Sequence, residues 1–182
     1  MTSHLPIWYL GKLDLSICEQ AKAELMQMPT QDASMGINGE VKQESQRKTE
    51  LVFAPFDFWL SKHFESYAAE ANSHCGWNYD IPSREAIQFA QYNVNQHYDW
   101  HVDCFPLSGQ DTDRKVTVVC LLNDLKEFEG GEFQLRLYSE YKAPLEKGIM
   151  IAFPSILEHR VTPIVSGTRY SATMWLNGPR FK

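Results

Sequence analysis

The sequence predicts an α+β domain in which two N-terminal helices support short strands folded as a sandwich or jelly roll. Three observations carry that expectation. Helical periodicity is confined to two stretches before residue 75, and from Glu85 onward the chain becomes short strands separated by turn residues. The 182 residues, 43% hydrophobic and 22% charged, suit one domain (residues 1–182) with a core of its own and no disulfide staples. No internal repeat or low-complexity tract suggests a second unit. Residues 1–84 then read as helical and strand support, and 85–179 as the β-rich core.

Taken in order, Leu5 to Leu10 is a short apolar run with the character of a supporting strand. Ser16 to Glu19 reads as a capping box opening a helix, with Ile17, Ala21, Leu25 and Met28 at helical spacing and Pro29 ending it. Thr30 to Ser45 is polar, contains Gly36 and Gly39, and has no periodicity. The loop from Thr30 to Lys48 is expected to be mobile and to act as a lid. Lys48 to Ala54 reads as a strand. Asp57 to Ser73 reads as a second helix, with Phe58, Leu60, Phe64, Tyr67, Ala68 and Ala71 on one face. Trp77 to Ser83 is a turn region. Strands follow near 85–92, 98–104, 115–122, 132–138, 148–153, 158–162 and 168–176. Asn123-Asp124, Gly130-Gly131, Pro154 and Ser166-Gly167 punctuate them, and the Gly130-Gly131 turn calls for positive φ.

Charge and cysteine usage narrow the partners. Seventeen basic against 23 acidic residues give a net charge of −6, which argues against nucleic acid or an anionic membrane as the main partner. The four cysteines (18, 75, 104 and 120) have unrelated spacings and no CxxC, so a reducing, cytoplasmic setting is expected. The first residues lack the pattern of a signal peptide, and no run approaches the ~20 apolar residues of a membrane span.

The chemistry gathers around Tyr92 to Asp103, YNVNQHYDWHVD. His101 and Asp103, two apart on a strand, would share a face about 6.5–7 Å apart along the chain. Such a pair can hold one metal ion, and His159, 58 residues further on, is the best third ligand. Two His and one carboxylate with open positions suit non-haem Fe(II). The strand Thr168 to Leu176 strengthens the case. Arg169, Ser171, Thr173 and Trp175 alternate with the apolar Tyr170, Ala172, Met174 and Leu176. A buried face carrying a cation and hydroxyls implies an anionic ligand, and Arg is shaped to hold a carboxylate. His4, His63, His74 and His97 read as surface residues and Cys104 as core. Trp100 and Val102 read as packing rather than contacting substrate.

These blocks, together with Glu129-Gly-Gly-Glu-Phe133 and Phe153-Pro-Ser, resemble the 2-oxoglutarate/Fe(II)-dependent oxygenases, and within them the prolyl 4-hydroxylase-like branch. The resemblance covers about Glu85 to Pro179. It implies a double-stranded β-helix (jelly roll) with His101, Asp103 and His159 as the catalytic metal triad. Arg169, ten residues after His159, would bind the far carboxylate of 2-oxoglutarate with Ser171 as its partner. Tyr92 and Thr173 would line the cosubstrate pocket, and Trp175 and Tyr98 the neighbouring wall. Asn95 stands where the family often has Gly, and Leu121 where some members have a Tyr that reaches the cosubstrate.

The cofactors implied are Fe(II), 2-oxoglutarate and O2, with ascorbate a further candidate. The reaction implied is hydroxylation of a C–H bond with release of succinate and CO2. Prolyl peptides or proteins lead the substrate classes, and free amino acids or other small molecules follow. A non-catalytic iron/2-oxoglutarate sensor is the third reading. Nucleic-acid repair dioxygenases carry a second Arg where Trp175 stands here, which counts against a base as substrate. A monomer or homodimer is expected. Substrate choice is expected to lie in the Thr30–Lys48 and Phe105–Arg114 segments.

Overall fold

A computed structural model of the chain describes residues 6–32, 46–104 and 111–181. The strands in order are β1 (Tyr9–Lys12), β2 (Gln31–Asp32), β3 (Arg47–Lys48), β4 (Glu50–Phe53), β5 (Ser83–Arg84), β6 (Gln88–Tyr92), β7 (His97–His101) and β8 (Thr112–Leu121). They continue with β9 (Phe128–Gly130), β10 (Phe133–Arg136), β11 (Glu140–Lys142), β12 (Ile149–Pro154), β13 (Glu158–Val161), β14 (Ile164–Gly167) and β15 (Arg169–Pro179). Helix α1 (Leu15–Leu25) follows β1, and α2 (Ser61–His74) follows β4.

The larger, eight-stranded sheet runs β1-β12-β8-β15-β6-β4-β2, with β5 paired to β15. The smaller runs β11-β10-β13-β7-β3, and β14 pairs with β9 as a separate ribbon. Because β8 and β15 lie at the centre of the larger sheet and are covered on both faces, their sequences carry few charges along most of their length. Outward, Val116, Val118, Cys120, Ala172, Met174 and Leu176 pack on Phe64, Ala68 and Ala71 of α2 and on Cys18, Ala21 and Leu25 of α1. Inward, Ala90, Val119, Leu121, Ile151 and Phe153 meet Phe133, Leu135 and Val161 of the smaller sheet. The Tyr67 hydroxyl on α2 lies 2.9 Å from the Tyr9 carbonyl and 3.0 Å from that of Met150, tying the helix to β1 and β12. Gly11 leaves room for that ring: a Cβ there would come within 2.4 Å of it.

Several boundaries differ from the sequence expectation. Helix α1 is capped by Asp14, whose side chain accepts from the Ser16 amide at 2.8 Å, so Ser16 lies inside the first turn and the capping box expected at Ser16–Glu19 is not formed. The helix ends at Leu25, three residues before Met28. Helix α2 starts at Ser61 because Phe58 and Ser61 donate three residues back, to Pro55 and Phe58, in tight turns. The strand expected over 48–54 is two strands serving different sheets. Thr49 makes the corner, its hydroxyl donating to the Gln91 carbonyl at 2.7 Å. The strand expected over 132–138 turns at Leu137–Ser139 and returns as β11.

Gly130 and Gly131 have φ of 79° and 60°, as the turn required. Asn95, in the place where a Gly was anticipated, also adopts positive φ at 65°, which Asn tolerates better than most residues. Most of the expected lid, residues 33–45, lies outside the described residues, as do 105–110 and His4. No described helix is long and apolar enough to cross a membrane.

Candidate active site

Antiparallel pairing of β7 with β13 sets His159 directly opposite His101 across the smaller sheet. Their rings lie 4.1 Å apart between centroids. The Nδ1 of His101 faces the Asp99 carbonyl at 2.7 Å, and that of His159 faces the Leu157 carbonyl at 3.0 Å. A ring that donates Nδ1–H to a carbonyl keeps its Nε2 lone pair free for another partner. Both Nε2 atoms point at Asp103, 3.7 Å from His101 and 3.3 Å from His159. One donor atom from each of the three residues falls within 4.8 Å of the others.

Asp103 reaches this place differently from the sequence expectation. β7 ends at His101, so Asp103 sits in a bend beyond the strand and not on the strand predicted over 98–104. The amides of Asp103 and Cys104 both donate to the Ser155 carbonyl, at 2.9 and 3.0 Å, which pulls the chain off the ladder. The Thr117 hydroxyl, 2.8 Å from the Asp103 carboxylate and 2.9 Å from the Ser155 hydroxyl, fixes the side chain.

Burial and the neighbouring His159 push the His101 imidazole down to about 3, so it is neutral near pH 7. Burial favours protonation of Asp103, but the facing imidazoles of His159 and His101 outweigh it and keep the carboxylate ionised well below its usual range. Two imidazole nitrogens and one carboxylate, each with a fixed orientation, form a donor set suited to a divalent first-row cation.

The opposite end of the same cleft is formed by β15. Arg169, Ser171, Thr173 and Trp175 line it together with His101, Asp103, His159, Tyr92, Tyr98, Phe133, Gln88 and Arg47. All nine site residues expected from the sequence are therefore on one cleft. Arg169 is 1% exposed and donates from Nη1 to the Ser171 hydroxyl at 2.9 Å, while its buried Nε has no partner among the described residues. Burial pulls its pKa down, with the Tyr92 phenol working the other way, yet a guanidinium stays charged. Tyr92 is paired with it across the β6–β15 ladder. Behind Arg169 lies an apolar recess of Leu121, Ala143, Leu145, Ile149 and Ile151, so Leu121 offers no hydroxyl there. A desolvated cation with an open hydrogen-bonding edge fits a carboxylate and is costly without one.

Comparison with known proteins agrees with this geometry. The sequence model of the 2OG-Fe(II) oxygenase superfamily matches residues 87–177, half of the chain, which takes in the triad and Arg169. The chain belongs to the 2OG-Fe(II) oxygenase superfamily. Fe(II) and 2-oxoglutarate are the groups this superfamily is named for, and the donor set and the Arg169 guanidinium fit them respectively. A PKHD-type hydroxylase of Xylella fastidiosa (strain M23) is 32% identical over 98 residues, which cover 49% of this chain and 43% of that protein. The match thus spans less than half of that relative's length. Two solved structures share the oxygenase jelly roll. The Trichoplax adhaerens prolyl hydroxylase, in complex with a hypoxia inducible factor peptide fragment, superposes with a TM-score of 0.74 at 21% identity over 93% of this chain and 83% of its own. The Pseudomonas putida prolyl-4-hydroxylase gives 0.69 at 20%, over 99% and 95%.

Sequence reasoning missed Thr117, Ser155, Gln88 and Arg47. Thr117 carried a signal: it is the one hydroxyl in the apolar run Val116–Leu122, on the face shared with Val119 and Leu121. The readings of Cys104 as core and of His63 and His74 as surface agree with the structure. Trp100 is half-buried between the guanidinium groups of Arg136 and Arg160, at 4.2 and 4.6 Å, a packing role as expected.

Proposed function

We propose that the chain, as one oxygenase domain over residues 1–182, is an Fe(II)- and 2-oxoglutarate-dependent dioxygenase that hydroxylates a C–H bond of a prolyl residue in a peptide or protein. The observation that carries this reading is a compact His101–Asp103–His159 cluster and an Arg169 with no carboxylate partner among the described residues, facing one cleft. In this reading His101, Asp103 and His159 hold the metal. Arg169 and Ser171 hold the distal carboxylate of 2-oxoglutarate, with Tyr92 and Thr173 alongside. Iron, when bound, supplies the redox chemistry that couples O2 and decarboxylation of 2-oxoglutarate to succinate with hydroxylation.

The protein's own contribution is positioning. Backbone carbonyls of Asp99 and Leu157 orient the two imidazoles, and Thr117 holds Asp103. Tyr98, stacked on His101 at 3.4 Å between centroids, closes one wall and keeps water away. Burial raises its phenol to about 12, so it stays neutral beside the cluster. Trp175 closes the other wall.

The peptide-bound Trichoplax adhaerens relative supports a prolyl peptide as substrate. Hydroxylation of a free amino acid or another small molecule uses the same site, and Arg47 at the cleft, which no carboxylate among the described residues pairs with, favours keeping that second reading. The test is succinate release and the mass gain of one oxygen atom with prolyl peptides and free amino acids, with and without ascorbate. Coupled hydroxylation supports the enzyme. Tight 2-oxoglutarate binding without succinate from any of them would instead indicate a sensor.

A further inference from the structure

Beyond the groups assigned above, the cleft holds two further buried N–H donors without partners among the described residues, Arg47 Nε and Trp175 Nε1. Trp175 is 5% exposed, and its ring is covered by the Arg114 guanidinium at 3.8 Å. Arg114 is itself neutralised by Glu85 through two 2.6 Å hydrogen bonds. Arg47 is different. It stacks over the Tyr98 ring at 4.4 Å and donates from Nη2 to the Gln88 side chain at 2.7 Å, and both partners are neutral. Among the described residues no carboxylate pairs with it. Stacking on a neutral phenol and one hydrogen bond to a neutral amide leave its charge unbalanced.

Charge balance in the cleft points the same way. The charged side chains lining it are Arg47, Asp103 and Arg169. A divalent cation, the Asp103 carboxylate, dianionic 2-oxoglutarate and Arg169 sum to zero, which leaves the Arg47 charge over. Arg47 also stands at the metal end, stacked on the tyrosine that stacks on His101. A ligand group meeting it would lie beside the reacting centre and away from Arg169.

We infer that Arg47 and Trp175 form a hydrogen-bond-donor subsite for the hydroxylated substrate, and that this substrate presents a carboxylate there. The inference rests on the oxygenase reading and sharpens it to acidic substrates. The carboxylate is either that of a free amino or imino acid or that of an acidic residue next to a peptide proline. Gln88 holds the guanidinium in place, and the indole N–H adds the second donor.

The test uses binding, with the protein loaded with Mn(II) and saturating 2-oxoglutarate under nitrogen so that Arg169 is already occupied. Calorimetry compares L-proline, N-acetyl-L-proline and a prolyl peptide with a neighbouring acidic residue, each against its carboxamide counterpart. At least one carboxylate is expected to bind about ten-fold or more tightly than its amide, and which arm does so identifies the source. Arg47→Gln should erase that preference, Arg47→Lys should keep part of it, and Trp175→Phe should weaken binding about two- to ten-fold. Mn(II) and 2-oxoglutarate affinities should stay unchanged in Arg47→Gln, which also shows that the variant is folded. Equal binding of acids and amides, no binding by any carboxylate, or an intact preference in Arg47→Gln would overturn the subsite. Failure of the parent protein to bind Mn(II) and 2-oxoglutarate would instead remove the oxygenase reading beneath it.

Discussion

Along β15, Tyr170, Ala172, Met174 and Leu176 face the helices, whereas Arg169, Ser171, Thr173 and Trp175 face the cleft. The two sides share one backbone and one hydrogen-bond ladder. The helix side is closed by Phe64, Ala68, Leu25 and their neighbours, all buried and apolar. Behind the cleft side, β-sandwich packing is interrupted by Asp103, His159, Arg169 and Ser171, each at most 6% exposed. Apolar burial stabilises the fold, and unpaired buried charge opposes it. The helix side thus supplies the stability that lets the cleft side carry buried polar and charged groups.

The largest break in this comparison should come from the triad. His101→Ala, Asp103→Ala and His159→Ala are each expected to abolish Fe(II)-dependent turnover and weaken Mn(II) binding while circular dichroism shows a retained fold. Full activity in any one would remove that residue from the metal site.

On the helix side, Phe64→Ala should do the reverse. Emptying a fully buried ring is expected to lower unfolding free energy by about 3–5 kcal/mol in urea titrations, with 2-oxoglutarate affinity preserved in the folded fraction. Arg169→Ala should weaken 2-oxoglutarate binding by about 2–5 kcal/mol, tens- to thousands-fold, with Mn(II) affinity nearly unchanged. Arg169→Lys keeps the charge but loses the fork, so some turnover should survive at high 2-oxoglutarate. The smallest effect is expected from Thr117→Val, which removes the hydroxyl holding Asp103. About 10–100-fold weaker Mn(II) binding with an unaltered fold would mark it as a positioning residue.

How much of this was readable in the sequence follows the same division. The period-two alternation of β15 and the helical faces of α1 and α2 depend on neighbours in the chain, so they were legible. That His101, Asp103 and His159 come together was legible because their two segments each carry a recognisable pattern. The Asp14 cap was missed because Asp14 and Ser16 both suit an N-cap, and only the fold decides between them. Thr49 as the corner between sheets, and Ser155 turning Asp103 off its strand, depend on residues 42 and 52 positions away. Arg47 follows a polar stretch without periodicity. Nothing local shows that its side chain ends beside a tyrosine stacked on His101.

The most direct measurement of the contrast between the two faces is the melting temperature of parent and Arg169→Met protein, each with and without Mn(II) and 2-oxoglutarate. Methionine fills similar space without charge, so no large cavity confuses the outcome. For the parent, 2-oxoglutarate at about 100 times its dissociation constant should stabilise by about 2.7 kcal/mol, a shift of about 5–10 °C. Arg169→Met should lose that 2-oxoglutarate-dependent shift and melt, without ligand, at or above the parent temperature. A variant that melts well below the parent without ligand yet still responds fully to 2-oxoglutarate would show that Arg169 supports the fold and not the ligand.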